Sequence, residues 1–174
     1  MYYYLYSRPL WLISLIIISG IVLWSWISTV LQTQPLKHRR LWLLINSVLL
    51  LLSLYAILFI TLLRRNTGIQ IVYLRPFHSL LAAREQPEIY RELLMNVFLF
   101  VPFGLALSQL LPRKRAAKWH VLIILPLSIA LSTAIEWVQY RFALGTAETD
   151  DVICNALGTF LGALPILMAE KMRQ

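Results

Sequence analysis

Five stretches of the chain are long and almost wholly apolar: Pro9 to Leu31, Leu41 to Leu63, Leu93 to Leu111, Trp119 to about Tyr140, and Val152 to Met168. Each approaches the roughly twenty residues that carry a helix across about 30 Å of hydrocarbon. The pattern predicts an all-α, polytopic membrane bundle of about five transmembrane helices in a single domain, residues 1–174. Between the second and third stretches lies Arg64 to Glu92, with Pro76, Pro87, five arginines and three glutamates. Too polar to cross, this segment is expected to lie on the membrane surface or dip into it. The first stretch is read as an uncleaved anchor, because its apolar run exceeds that of a secretory signal, only Arg8 precedes it, and no small-residue cleavage site is evident.

Three side chains break the later stretches at matching depths. Asn96 falls in the first turn of the third span, Glu136 about a turn before the end of the fourth, and Asn155 in the first turn of the fifth. Successive spans run in opposite directions, so all three sit one turn below the same membrane face, whichever way the protein inserts. Polar groups in hydrocarbon are costly, and an ionisable one is a functional-site hypothesis by default. Helical periodicity adds neighbours. Asp151, Asn155, Gly158 and Gly162 share a face of the last span; Ser128, Ser132, Glu136 and Gln139 or Tyr140 share one in the fourth; Asn96, Phe100, Gly104 and Ser108 align in the third. Pro102 leaves the Phe98 carbonyl needing a partner within the bundle. A cluster of Asn96, Glu136, Gln139, Asp151 and Asn155 is therefore expected, with Arg141 or an arginine of the long segment as counter-charge. A purely structural reading stands beside it: membrane Asn and Gln often serve only as interhelical hydrogen bonds, Gly-x-x-x-Gly as packing, and Asp150 and Asp151 as caps of the last helix.

Composition narrows the class. Hydrophobic residues make up 59% of the chain and charged ones 14%, a balance that a soluble domain of this size could not hide from water. The formal charge of +8 comes from 16 Lys and Arg lying mostly between the apolar runs, so the bases read as topology signals and headgroup anchors, with no nucleic-acid partner. Nine of them (Lys37, Arg39, Arg40, Arg113, Lys114, Arg115, Lys118, Lys171, Arg173) fall on one side and seven on the other, five of those seven in the long segment. The short loops carry the vote, placing the N-terminus outside and the C-terminus in the cytoplasm. Cys154 is the single cysteine, so no intrachain disulfide can form. His38, His78 and His120 show no ligand spacing, and no glycine-rich phosphate loop or nucleophilic serine motif is present; neither a metal nor a cofactor is predicted. Tryptophans and tyrosines at span ends read as aromatic belts.

Three ordered blocks resemble the signatures of the VanZ-like membrane proteins: Asn96-Val97-Phe98-Leu99-Phe100-Val101-Pro102-Phe103-Gly104, Glu136-Trp137-Val138-Gln139, and Asp150-Asp151-Val152-Ile153-Cys154-Asn155-Ala156-Leu157-Gly158. Leu74-Arg75-Pro76-Phe77 resembles the family's short proline-phenylalanine motif. The likeness covers a core of residues 72–164, and the first two spans match only in kind. The chain departs from the pattern at Tyr73, where the family often has Asn, at Thr146, where it often has Arg, and at Glu148, where an Asp is common. If the family's loop arginine pairs with its carboxylates, Arg141 would have to substitute here.

The resemblance implies an envelope role in the bacterial cytoplasmic membrane, and the founding member is linked to low-level teicoplanin resistance. The expected partners are membrane lipids and a wall precursor, lipid headgroup or lipoglycopeptide. Arg75, Arg91, Asn96, Glu136, Gln139, Arg141, Asp150, Asp151 and Asn155 are the candidate ligand-binding residues, the arginines (with Arg84) meeting phosphate. An alternative from another class is a membrane-embedded enzyme on a lipid-linked precursor, with Glu136 as general acid or base and Asp151 orienting it or holding a cation. A proton-coupled transporter is weaker, since five helices and one membrane acid are few for alternating access. Gly158 and Gly162 offer a face for a neighbouring helix or a homo-oligomer.

Overall fold

The computed structural model describes residues 20–21, 23–28, 39–63, 65, 68, 70–112 and 117–171. Among them four helices are long and apolar enough to cross a membrane: Arg39–Leu63, Glu88–Leu110, Lys118–Arg141 and Thr149–Ala169. The predicted first crossing, Pro9 to Leu31, lies mostly outside the described residues. Its residues 23–28 are helical, and Trp24 stacks on Trp42 with ring centroids 5.0 Å apart.

Helix α1, Arg39–Leu58, widens into a π-helical turn over Phe59–Leu63. Strand β1, Ile71–Tyr73, and a five-residue helix α2, His78–Ala82, lie within the long polar segment. Helix α3, Pro87–Leu110, starts one and a half turns before the apolar run. Pro87 sits at its first position, where no amide hydrogen is missed, and Glu88 lies in its positive first turn. Helix α4 is Ala117–Arg141, strand β2 is Thr146–Glu148, and helix α5 is Thr149–Lys171.

Half of the α3 span is buried inside the protein, against 17% of the α1 span, so α3 and α5 form the centre of the bundle and α1 its flank. Glycine makes the central contact possible. A methyl group at Gly158 would overlap the Val97 carbonyl oxygen, one at Gly104 would lie 2.7 Å from the Thr159 Cα, and one at Gly162 would lie 2.6 Å from the Leu105 nitrogen. These are backbone atoms, which cannot swing aside. The Gly158 and Gly162 face is thus filled by α3, and any homo-oligomer using it would have to displace that helix. Around this seam Ile57, Phe100, Phe103 and Ile135 form the apolar core.

The small sheet is what closes the site. β1 and β2 pair in parallel, Ile71 with Thr146, Val72 with Ala147 and Tyr73 with Glu148. Ile-Val-Tyr suits a pleated conformation, yet three residues are too few to announce a strand. The chain reaches β2 through a tight C-terminal cap on α4. Ala143 takes the left-handed conformation (φ 52°), the Leu144 amide donates to the Gln139 carbonyl at 2.8 Å, and the Ala143 amide donates to Tyr140 at 3.3 Å. The long segment is tied to this cap, with Gly68 N–H donating to the Ala143 carbonyl at 2.6 Å and the Gln70 side chain donating to the Tyr140 carbonyl at 2.7 Å.

Candidate functional site

Where α3 and α5 meet the sheet, a polar cleft of about 520 Å³ opens, with Arg65, Arg91, Glu92, Asn96, Glu148 and Asp151 among its lining residues; Glu136 of α4 is not one of them. Each comes from an element with a local reason to be there. Arg91, Glu92 and Asn96 follow one another along the first turns of α3. Asp151 lies in the first turn of α5, and Glu148 ends β2 immediately before it. Arg65 arrives from the chain leaving α1. Its guanidinium packs against Gly145, whose φ of +144° is what requires glycine there.

A hydrogen-bonded network joins these groups. Asn96 bonds to the Asp151 carboxylate. Glu136, buried on α4, accepts the Glu148 backbone N–H at 2.9 Å. The Glu148 carboxylate accepts from the Ser79 hydroxyl. The charge of Arg65 acts on both Glu136 and Asp151, and these two carboxylates act on one another. Of the two counter-charges the sequence left open, the structure brings an arginine of the long segment to the acids. Arg141 is exposed and is not among the residues lining the cleft.

The departure at Thr146 has a physical counterpart. Thr146 itself lines the cleft, and the cation lies against Gly145, one residue earlier, supplied by Arg65. At Glu148 the longer acid reaches Ser79 on α2.

Asp150 works on a different element from the one it begins. Its Oδ1 accepts the Phe77 amide at 2.5 Å and its Oδ2 accepts the Ser79 amide at 2.7 Å, with Leu80 N–H at 3.4 Å. Phe77, at the N-cap of α2, has φ 64° and no side-chain cap of its own. Asp150 therefore caps α2 from across the fold, and this carboxylate together with that of Glu148 holds α2 over the cleft.

Below the cleft a ladder of polar pairs descends between α4 and α5. Glu136 faces Asp151; one turn deeper the Asn155 amide donates to the Ser132 hydroxyl at 2.7 Å; another turn deeper the Ser128 and Thr159 hydroxyls lie 2.6 Å apart. Spacing of four on both helices brings each pair into register. One turn further Ile124 and Ala163 are buried and apolar, and the ladder ends. The Asn155 Oδ1 has no hydrogen-bond partner among the described residues.

Of the remaining sequence candidates, Gln139 is buried and donates to the Thr61 carbonyl at 2.9 Å, serving the π-helical end of α1. Arg75 is exposed on the turn before α2, where its carbonyl accepts the His78 amide at 3.4 Å. Neither lines the cleft. Among the described residues, no group of three His, Cys, Asp or Glu side chains is placed to hold a metal ion. Sequence reasoning did not single out Arg65, Ser79, Glu148 or Thr159 for the site. Thr159 was within its reach, standing four residues after Asn155; the other three depend on the β1–β2 pairing.

Four helices of crossing length, with a mixed-charge cleft at one end, fit a multi-pass membrane protein. A family model described as VanZ/LLP1 matches residues 11–170, and the chain belongs to that family. The match reaches well beyond residues 72–164, into the first spans. Protein VanZ of Enterococcus faecium is 36% identical over 76 residues, covering 42% of this chain and 42% of that protein. The chain thus aligns with less than half the length of this relative. No solved structure matches it.

Proposed function

We propose that this is an envelope protein of the bacterial cytoplasmic membrane, with its N-terminus outside, that binds the polar head of an envelope component in a cleft at the outer face and thereby lowers the action of teicoplanin. The observation that carries the reading is the cleft itself: arginine and carboxylate side chains line one cavity at the end of four membrane-length helices. Arg65 and Arg91 suit a phosphate, since the guanidinium fork matches its oxygens, while Glu92 and Glu148 suit an ammonium or sugar hydroxyl. The link to teicoplanin rests on the likeness to VanZ. Wall precursor, lipid headgroup and lipoglycopeptide all present such groups.

Expression in a susceptible host tests this by titration of teicoplanin. The wild type raises the inhibitory concentration, Asp151→Asn and Arg65→Gln abolish the increase, and Arg141→Gln, outside the cleft, retains it. An unchanged concentration for the wild type removes the resistance role.

A second reading is favoured by the adjacency of Glu136 and Asp151, whose carboxylates act on one another beside Arg65. Such a pair has the make-up of an acid–base couple acting on a lipid-linked precursor. Product formation from a labelled lipid-linked precursor by the purified protein, lost in Glu136→Gln while binding persists, selects this reading over simple binding.

A further inference from the structure

Beside the polar cleft runs an apolar groove of about 270 Å³, walled by α3 and α5 and roofed by Phe77 and Leu80. Leu93, itself 8% exposed, lines both cavities, so the apolar groove and the charged cleft adjoin at this residue of α3. The two helices divide the same way. Asn96 lines the cleft and its neighbour Val97 the groove, while Asp151 lines the cleft and Asp150 the groove. Phe77, Leu80, Leu94 and Leu157 are 55%, 45%, 54% and 48% exposed, so the groove is open to the lipid side.

Resting on the head-binding reading above, we propose that groove and cleft are two halves of one site for a membrane phospholipid whose head carries both a phosphate and an ammonium. The acyl chain lies in the groove, the head crosses the crest at Leu93, and the charges meet the cleft. Charge complementarity selects this occupant. Arg65 and Arg91 face a phosphate, and Glu92, free of the tethers that engage Glu148 with Ser79 and Asp151 with Asn96, faces the ammonium. A chain already dissolved in the bilayer gains little by moving from lipid to leucine, so the groove contributes position and the head contributes selectivity.

The test is photo-crosslinking of the full chain in nanodiscs of phosphatidylglycerol, whose head has a phosphate but no ammonium, using phosphatidylethanolamine with a diazirine at mid-chain and, for comparison, diacylglycerol carrying the same labelled chain. The expected result is labelling of Leu94, Cys154 and Leu157 about tenfold above that of Leu44 and Leu51, exposed on α1, with the phospholipid probe only. Leu157→Trp, which fills the groove, removes this labelling but leaves calorimetric binding of glycerophosphoethanolamine, the head without chains, intact. Arg91→Gln and Glu92→Gln each lower groove labelling severalfold. Equal labelling of the groove and α1 shows annular lipid and overturns the proposal. Groove labelling by both probes, with binding of the soluble head preserved, shows a groove unconnected to the cleft and also overturns it. Loss of head binding by the wild type overturns the cleft reading itself.

Discussion

Replacing Asp150 by alanine should loosen α2 and leave the bundle beneath it intact. The carboxylate accepts short bonds from Phe77 N–H at 2.5 Å and Ser79 N–H at 2.7 Å, and a long one from Leu80 at 3.4 Å. A hydrogen bond to a charged group contributes about 1.5–3 kcal/mol. Phe77 is more than half exposed, so water recovers much of its share, whereas Ser79 is 7% exposed and its amide stays stranded. The net cost is about 2–3 kcal/mol, an increase of roughly 30- to 150-fold in the population of the opened α2. Hydrogen exchange of the peptide spanning Phe77 to Ala82, in nanodiscs, reads this directly. Asp150→Asn keeps one acceptor oxygen and should fall about halfway in free energy. The tether from Ser79 to the Glu148 carboxylate survives in both variants, so Asp150→Ala combined with Glu148→Gln should exceed either change alone. Unchanged exchange at Ser79 in Asp150→Ala, or increased exchange confined to α5, would show that Asp150 serves only its own helix.

Gly158→Leu should drive α3 and α5 apart, because the new side chain meets the Val97 carbonyl and Phe100; a loss of at least about 2 kcal/mol in detergent unfolding is expected. Asn155→Leu removes one ladder bond and strands the Ser132 hydroxyl, lowering stability by about 1 kcal/mol, and Ser132→Ala added to it should cost little more; additive losses in the same unfolding assay would refute the pairing. Phe77→Asn places in the left-handed N-cap a residue that tolerates that conformation, so exchange at Ser79 should slow by about fivefold, corresponding to about 1 kcal/mol.

Four of the helices, and which of their ends meet, were legible because both follow from local rules. Periodicity fixes which residues share a face, and alternating crossings fix which ends of successive spans meet, so Asn96, Glu136 and Asp151 could be placed together before any coordinates. Partner choice was another matter. Asn155 and Gln139 have the same chemistry, yet one bonds across to Ser132 and the other to the Thr61 carbonyl at a π-helical turn that no periodicity announces. Arg65 and Ser79 enter the site through strand pairing between residues about 75 apart in sequence, Ile71 with Thr146 and Tyr73 with Glu148. Three-residue strands leave too little pattern to read, and the role of Asp150 as the cap of a distant helix was hidden behind the simpler one of capping its own.

Helices α3, α4 and α5 bring Asn96, Glu136 and Asp151 together, Asn96 and Asp151 lining the cleft and Glu136 buried beside them. Cysteine pairs in a Cys154→Ser background measure this in native membranes with a short bifunctional methanethiosulfonate. Asn96→Cys with Asp151→Cys, and Glu136→Cys with Asp151→Cys, should each crosslink within the monomer, while Phe98→Cys with Asp151→Cys, on the outward side of α3, should not. Crosslinking of the Phe98 pair in preference to the other two would contradict the account.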